Sequence, residues 1–272
     1  MADVEYGSLV QDKRCGGPME RKWQLGLVIR EADFTGARHP PFMAPEISRG
    51  AIGEFVGMLF FLFQTITIAR FAPAADEVTG SILSIGFGFG LSIFVLVYIL
   101  AEVSGANLNP AVSIGLLVGK RISLERFIVY LVAQLLGAVA GATLATTYLE
   151  DTAGGFNQIS DGILPRQAFI GEVFATALLV LSVLAATDGE LGRKNGHIPA
   201  LLPLAIGFTV LLAHLVLIPI DGCSINPART FATSVTNANW DDHWVFWAGP
   251  MVGGVFATFL WESVLRPLQP AL

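Results

Sequence analysis

One tripeptide, Asn-Pro-Ala, occurs twice in this chain and is the pattern best suited to bind a small polar molecule. The copies are Asn109-Pro110-Ala111 and Asn226-Pro227-Ala228. Asn is a preferred helix N-cap and Pro suits the first helical turn, so each copy predicts the start of a helix. While the Asn side-chain oxygen caps that helix, its amide NH₂ group remains a hydrogen-bond donor. A single copy would indicate only a turn before a helix, but two matched copies predict a shared site.

Three charged side chains lie in otherwise apolar stretches. Glu54 and Glu172 each interrupt a long hydrophobic run, and Arg229 directly follows the second tripeptide. Charges are costly in apolar surroundings, so a functional role is the first interpretation. We expect each glutamate to accept hydrogen bonds from backbone N–H groups in the loop before a tripeptide. Snorkelling from a helix end is the alternative for the glutamates, and a buried ion pair is the alternative for Arg229.

The composition places these residues in a membrane. Of the 272 residues, 53% are hydrophobic and only 14% are charged, against about 25% charged in a typical soluble domain. This deficit excludes a disordered chain and argues against a nucleic-acid-binding protein, which needs a basic surface. The two cysteines, Cys15 and Cys223, are too few for a disulfide framework.

Six apolar runs are each long enough, at about 20 residues, to cross a bilayer. Helix is the expected state, because lipid leaves no water to satisfy an open strand edge. The runs are Ala51–Ala69, Ser81–Ala101, Phe127–Tyr148, Ala168–Thr187, Ile198–Ile220 and His243–Trp261.

The basic residues predict the orientation, because cytoplasmic loops carry more Lys and Arg. With both termini in the cytoplasm, 13 of the 16 Lys and Arg residues lie on that side. We expect a cytoplasmic tail without a cleaved signal at 1–45 and a membrane domain at 46–265. The domain divides into halves at 46–150 and 165–265, and a short cytoplasmic tail follows at 266–272.

The two halves repeat each other at a nearly constant offset. Glu172 follows Glu54 by 118 positions, and Asn226 follows Asn109 by 117. Because each half has three spans, the second half must enter the membrane from the opposite side. The repeats are therefore predicted to be inverted, and such folds place their functional site near the midplane, between the repeats.

Each tripeptide starts an apolar stretch of only about ten residues. A helix of that length covers about 15 Å, half of the roughly 30 Å hydrocarbon core. Two half-helices from opposite faces would meet in the middle, with their positive N-terminal ends facing each other. Irregular backbone at this depth is tolerated where it lines a water-filled cavity. The pattern predicts a pore whose opposed dipoles repel cations and interrupt a proton wire, with a purely structural kink pair as the alternative.

The chain resembles the aquaporins, the major intrinsic protein family, over about residues 46–265. The resemblance rests on Ser104-Gly105-Ala106-Asn107-Leu108-Asn109-Pro110-Ala111-Val112 and Gly222-Cys223-Ser224-Ile225-Asn226-Pro227-Ala228-Arg229. It implies an all-α membrane protein with six transmembrane helices plus two half-helices in two inverted three-span repeats. It also implies one pore per subunit and usually a homotetramer. No cofactor, metal or catalytic residue is expected, and the chain is not predicted to be an enzyme.

The resemblance implies a selectivity filter on the extracellular side of the tripeptides. Phe89, His214, Cys223 and Arg229 occupy its positions. Phe, His and Arg together resemble the water-selective branch, whereas glycerol-conducting relatives have a small residue at the His position and typically Asp where this chain has Thr230. An aromatic ring and an imidazole narrow the opening, and Arg supplies fixed donors and a positive charge. Outside this pattern, Phe89 and His214 would be interpreted as core residues.

Two positions depart from the family pattern. Asn107 stands where relatives usually have His, so a pH response assigned to that His is not expected here. Cys223 replaces the Thr usual in the plant plasma-membrane intrinsic proteins, to which several loops are similar. As a free thiol at the pore mouth, Cys223 predicts block by mercurials.

The similar loops include Lys120-Arg121-Ile122-Ser123-Leu124 and the loop that ends with His197-Ile198-Pro199. In those relatives the Ser is phosphorylated and the His responds to cytosolic pH, so Ser123 and His197 are candidate gating residues. A kinase acting on Ser123 is then a candidate partner. The alternatives are that the two basic residues before Ser123 only enforce topology and that His197 is an ordinary exposed loop residue.

Together these features predict a passive, water-selective channel that excludes protons and ions and lies in the plasma membrane. Its expected partners are water, membrane lipid and further copies of itself, without nucleic acid. Two alternatives stay open: a broader channel for hydrogen peroxide, carbon dioxide or glycerol, and a structural or junctional membrane protein. We find no residue pattern that favours an intramembrane enzyme or an ion-coupled transporter.

Overall fold

The structure is a computed structural model that describes residues 45–72, 78–150, 155–188 and 201–266. Within these ranges the chain forms α-helices joined by short loops, without β-strands. The helices are α1 Pro45–Phe71, α2 Val78–Ser104, α3 Pro110–Val118, α4 Leu124–Leu149, α5 Pro165–Ala186, α6 Leu202–Asp221, α7 Pro227–Asn237 and α8 Val245–Leu260. A π-helical turn, Trp261–Leu265, continues α8.

Six of these helices are long and apolar enough to cross a membrane, namely α1, α2, α4, α5, α6 and α8 with its π-helical turn. The six predicted spans are therefore confirmed, although their ends differ. The last span begins at Val245 rather than His243, because Asp242 is left-handed (φ +47°) and the Val245 N–H closes a turn onto its carbonyl at 2.9 Å. The start of the predicted fifth span, 198–200, lies outside the described residues.

The outer faces of the spans carry large apolar side chains. Phe174 is 65% exposed on α5 and Phe259 is 61% exposed on α8. Exposed apolar surface of this extent is unusual for a soluble monomer. It fits helices that face lipid or further subunits.

Small residues allow the long helices to cross closely, and they do so symmetrically in the two halves. Gly137 of α4 lies against the backbone carbonyl of Phe55 on α1. Gly253 of α8 lies against the carbonyl of Val173 on α5 in the same way. A Cβ atom at either glycine would collide with the facing backbone, so these positions set the helix separation.

The two short helices, α3 with nine residues and α7 with 11, each belong to one half but pack against the other. Helix α3 contacts α8, and α7 contacts α4. Helices α2 and α6 make a further contact between the halves. The halves are thus interlocked, and the N-termini of α3 and α7 meet between them, as the repeat predicts.

Candidate functional site

Asn109 and Asn226 cap the two half-helices as predicted. The Oδ1 atom of Asn109 accepts a hydrogen bond from the Ala111 N–H at 2.8 Å. The Oδ1 atom of Asn226 accepts from the N–H groups of Ala228 at 3.1 Å and Arg229 at 3.4 Å. Both asparagines have an extended backbone, which is typical of an N-cap.

The two asparagines also join the halves to each other. The Nδ2 group of Asn109 donates to the carbonyl of Ile225 at 2.7 Å, and that of Asn226 donates to the carbonyl of Leu108 at 2.8 Å. Each amide uses one hydrogen in this exchange and keeps a second donor. Sequence reasoning missed the exchange, and only the repeat symmetry could have suggested it.

The loops before the half-helices have an unusual backbone. Ala106 and Leu108 in the first loop have positive φ angles of 49°, and Cys223 and Ile225 in the second have 57° and 46°. Such conformations cost about 1–3 kcal/mol each for residues other than glycine, and persist only where surrounding contacts enforce them. The repetition at equivalent positions shows that both halves impose one loop geometry.

The buried glutamates supply those contacts. Glu54 accepts the Asn107 N–H at 3.0 Å and the Leu108 N–H at 2.6 Å. Glu172 accepts the N–H groups of Ser224 and Ile225, both at 2.6 Å. Both glutamate side chains are fully buried, which does not fit snorkelling from a helix end. The expected hydrogen bonds to the loops are thus present in both halves.

Asn107 joins the support of the first loop. Its Nδ2 group donates to Ser113 Oγ at 3.2 Å, and Gln134 Nε2 lies 3.1 Å from the same oxygen. Gln134 Nε2 also lies 2.8 Å from Glu54 Oε2. The residue that replaces the family's usual His is therefore part of a buried polar network.

Three of the predicted filter residues come together from α2, α6 and α7. The ring centroids of Phe89 and His214 lie 4.1 Å apart, and the Arg229 Cζ atom lies 5.0 Å from the Phe89 ring centroid. All three side chains are buried, and so is the free thiol of Cys223. Cys223 follows Gly222, whose carbonyl accepts a hydrogen bond from Arg229 Nη2 at 3.3 Å.

Several polar atoms of Arg229 and His214 within this cluster have no hydrogen-bond partner among the described residues. Arg229 Nη2 donates to the Gly155 carbonyl at 3.1 Å, but within the described ranges Nε and Nη1 have no protein partner. His214 Nδ1 lies 2.8 Å from the Val210 carbonyl, which can only accept, so Nδ1 is the donor, and a singly protonated ring then presents Nε2 as an acceptor. Nε2 likewise has no partner among these residues. The cluster offers both donors and an acceptor to a small polar solute.

Ser123 is the exposed N-cap of α4, where its Oγ accepts the Arg126 N–H at 3.1 Å. This local role was not predicted. His197, the other candidate gating residue, lies outside the described residues, as do residues 1–44 and 267–272.

A cluster of opposite charges, which sequence reasoning missed, joins the end of the first half-helix to the ends of α5 and α8. Arg121 Nη2 lies 3.3 Å from Glu262 Oε1 and 3.8 Å from Asp188 Oδ2. Arg266 Nε lies 3.1 Å from Asp188 Oδ2, and Arg266 Nη1 lies 2.9 Å from Glu262 Oε2. Burial lowers the pKa of Arg121, and both acids counteract this effect.

Comparison with known proteins agrees with the geometry. Residues 42–261 match the sequence profile of the family described as Major intrinsic protein. The chain is 40% identical over 233 residues to the probable aquaporin PIP2-4 of Arabidopsis thaliana, covering 80% of each protein. It is 39% identical over 257 residues to the aquaporin PIP2-4 of Zea mays, covering 86% of this chain and 89% of that relative.

A solved structure, the aquaglyceroporin from Plasmodium falciparum, superposes with a TM-score of 0.71 at 25% identity and covers 81% of this chain and 98% of the other. The predicted fold and the predicted resemblance are both confirmed. This multi-pass membrane protein belongs to the major intrinsic protein family, the aquaporins.

Proposed function

We propose that the protein is a passive, water-selective channel of the plasma membrane. The observation that carries the proposal is the convergence of Phe89, His214 and Arg229: the two buried rings lie 4.1 Å apart, and the guanidinium carbon lies 5.0 Å from the Phe89 ring centroid. The unpartnered donors and acceptor of this cluster can replace hydrogen bonds that water loses on entering the pore. The plant proteins to which the chain is similar are named as aquaporins, which supports water as the solute.

Exclusion of ions and protons is part of the same proposal. The fixed positive charge of Arg229 opposes the entry of cations. The N-termini of α3 and α7 bring two positive helix ends together at Asn109 and Asn226. A water bound there receives hydrogen bonds from both amides, so it donates outward on both sides and does not relay a proton through the centre.

Glycerol is the second candidate solute, because the solved structural relative is an aquaglyceroporin. His214 argues against it, since its ring occupies the space next to Phe89 that a larger solute would need. Hydrogen peroxide is close to water in size, so a filter of this kind excludes glycerol but not peroxide.

Stopped-flow light scattering on proteoliposomes tests the proposal. We expect rapid osmotic water flow, with glycerol entry no faster than in protein-free vesicles. The double variant Phe89→Ala with His214→Gly should admit glycerol, whereas Phe259→Ala on the outer surface of α8 is the matched control and should not. Rapid glycerol entry through the wild type would overturn the selectivity.

We also propose that both termini are cytoplasmic, that the channel is a homotetramer, and that a kinase modifies Ser123. The exposure of Ser123 at a helix N-terminus supports the last point, because the dipole there favours a phosphate group. Phosphate labelling of the wild type and of Ser123→Ala would test it, and crosslinking in the membrane would test the oligomer.

For His197, we expect cytosolic acid to reduce flux less in His197→Ala than in the wild type.

A further inference from the structure

Asp221 is a buried acid next to the filter that the sequence analysis did not single out. It is the last residue of α6, and its side chain is fully buried. The Oδ1 atom accepts the Cys223 N–H at 2.9 Å. Among the described residues, no group donates to Oδ2. A buried carboxyl at such a place needs a structural or functional reason.

The hydrogen bond to Cys223 spans a left-handed turn. Gly222 and Cys223 have φ angles of 79° and 57°, and only the first is a glycine. An Asp side chain that accepts the N–H two residues later forms an Asx-turn, which replaces a missing backbone partner. Asp221 therefore stabilises Cys223 in a conformation that a residue with a Cβ atom rarely adopts.

The same turn connects Asp221 to Arg229. The carbonyl of Gly222, the residue between Asp221 and Cys223, accepts from Arg229 Nη2 at 3.3 Å. The carbonyl of Asp221 itself accepts from the Gln158 N–H at 3.1 Å. If the turn opens, the carbonyl that holds the filter arginine changes direction, so the geometry of the turn reaches the pore lining.

The first half of the molecule contains an independent copy of this arrangement. Ser104 stands 117 positions before Asp221, and its Oγ accepts the Ala106 N–H at 3.0 Å. Ala106 is left-handed, like Cys223. In both halves, therefore, the last residue of the preceding long helix closes the turn with its side chain. A hydrogen bond from the third residue's N–H to the first residue's side chain is therefore a shared feature of the two loops.

We propose that Asp221 is a positioning residue of the filter, which holds Cys223 in its left-handed conformation and thereby fixes the Gly222 carbonyl against Arg229. The inference rests on the proposed function only in treating this cluster as the filter. The carboxyls of Glu172 and Asp221 are also within electrostatic range of Arg229. A pure charge effect is therefore the competing explanation that the test must separate.

The first test measures the accessibility of the Cys223 thiol in proteoliposomes. All variants carry Cys15→Ser, so that a mercurial reagent has one target. Asp221→Ala removes the acceptor and should speed modification about tenfold, the equilibrium equivalent of one lost buried hydrogen bond. Asp221→Asn keeps an acceptor without a carboxylate, and Asp221→Ser copies the closure by Ser104. Both should react within about twofold of the parent protein.

The second test uses glycine as a matched background. Glycine adopts positive φ at no steric cost, so Cys223→Gly should make the turn less dependent on its closure. We expect Asp221→Ala to lower Tm in the protein that keeps Cys223. In the Cys223→Gly background, the loss of Tm should be at most about half as large. If Asp221→Ala alone does not fold, the double variant should restore a folded protein.

The outcomes distinguish the explanations. Parent-like labelling of Asp221→Ala would overturn the proposal. Equally fast labelling of the Asn, Ser and Ala variants would assign the effect to the charge, which all three remove, and would also overturn the proposal, as would equal Tm losses in both backgrounds. Absence of water flow in the wild type would reject the proposed function alone, because labelling and Tm do not depend on flux.

Discussion

The loops 104–109 and 221–226 share a backbone but differ in what they carry. Each has left-handed residues at its third and fifth positions, a glutamate that accepts two of its N–H groups, and an Asn that bonds to the other loop. Yet Ala106 and Val112 of the first half stand where the second half has Cys223 and Arg229. One loop scaffold occurs twice, and only the second copy carries residues that we propose for the filter.

The hydrogen-bonding side chains beside the two loops also differ. Beside the first loop, Gln134 links Glu54 to Ser113. Beside the second, Thr230 Oγ1 donates to Asn157 Oδ1 at 2.6 Å and lies 2.6 Å from Ser224 Oγ. Thr230 of the second network directly follows the arginine that we place in the filter, whereas Ser113 of the first network follows Val112. The two loops thus share a backbone geometry and a glutamate support, while the side chains around them differ.

The largest expected effect is on the shared support. Glu54→Gln and Glu172→Gln each present an NH₂ group to a buried backbone N–H, leaving that donor unpaired. We expect each change to lower Tm by about 5–10 °C, corresponding to an unsatisfied buried group. Thermal unfolding in detergent measures both. A loss confined to one variant would break the view that the loops are equivalent scaffolds.

The next effect concerns the residue that distinguishes the halves. Arg229→Val installs the first half's Val112 at the filter and removes the fixed charge. We expect water flow to persist while proton or cation leak rises about tenfold or more, measured with a pH-sensitive dye in vesicles. Arg166→Val, at an exposed arginine on α5, is the control. Unchanged leak in Arg229→Val would place ion exclusion elsewhere.

A smaller effect compares Cys223 with Ala106. Mercurials should block water flow through the wild type, and Cys223→Ser should abolish the block. Adding Ala106→Cys to that variant moves the thiol to the equivalent position of the first loop and should restore a block if both loops line one pore. Osmotic shrinkage with and without the reagent measures each step. Mercury sensitivity that survives Cys223→Ser would contradict the placement of this thiol.

The smallest effect concerns the segment after the second half-helix. His243 Nε2 accepts the Trp247 Nε1–H at 2.9 Å, and burial lowers the pKa of His243. The folded state therefore favours the neutral ring, so stability is retained at neutral pH and falls as pH drops below about 6.5. Asp241 and Asp242, both exposed, are the nearest acids in sequence. His243→Gln should flatten the pH dependence of Tm slightly, and an unchanged slope would exclude His243 as its source.

Much of this molecule follows from local sequence chemistry. The sequence predicts Asn109 and Asn226 as caps because the preferences of Asn and Pro act within one helical turn. Glu54 and Glu172 stood out because each is a charge in an apolar run, and the offset between them revealed the inverted halves. Local signals did less well at element ends, where the turn at Asp242 shortened the last predicted span.

The sequence by itself determined the six spans, the inverted repeat and the half-helices, because hydrophobic length, charge placement and capping are properties of neighbouring residues. Phe89, His214 and Cys223 became filter candidates only through the family resemblance. The tertiary structure alone decided which groups meet: the hydrogen bonds from Asn109 and Asn226 to the carbonyls of the opposite loops, the Arg121 charge cluster, and the contact of Phe89 with His214. These contacts join segments far apart in the chain, and spacing does not encode distance in space. Asp221 lay at the end of an apolar run without a distinctive pattern, and its meaning came from the left-handed turn that it closes.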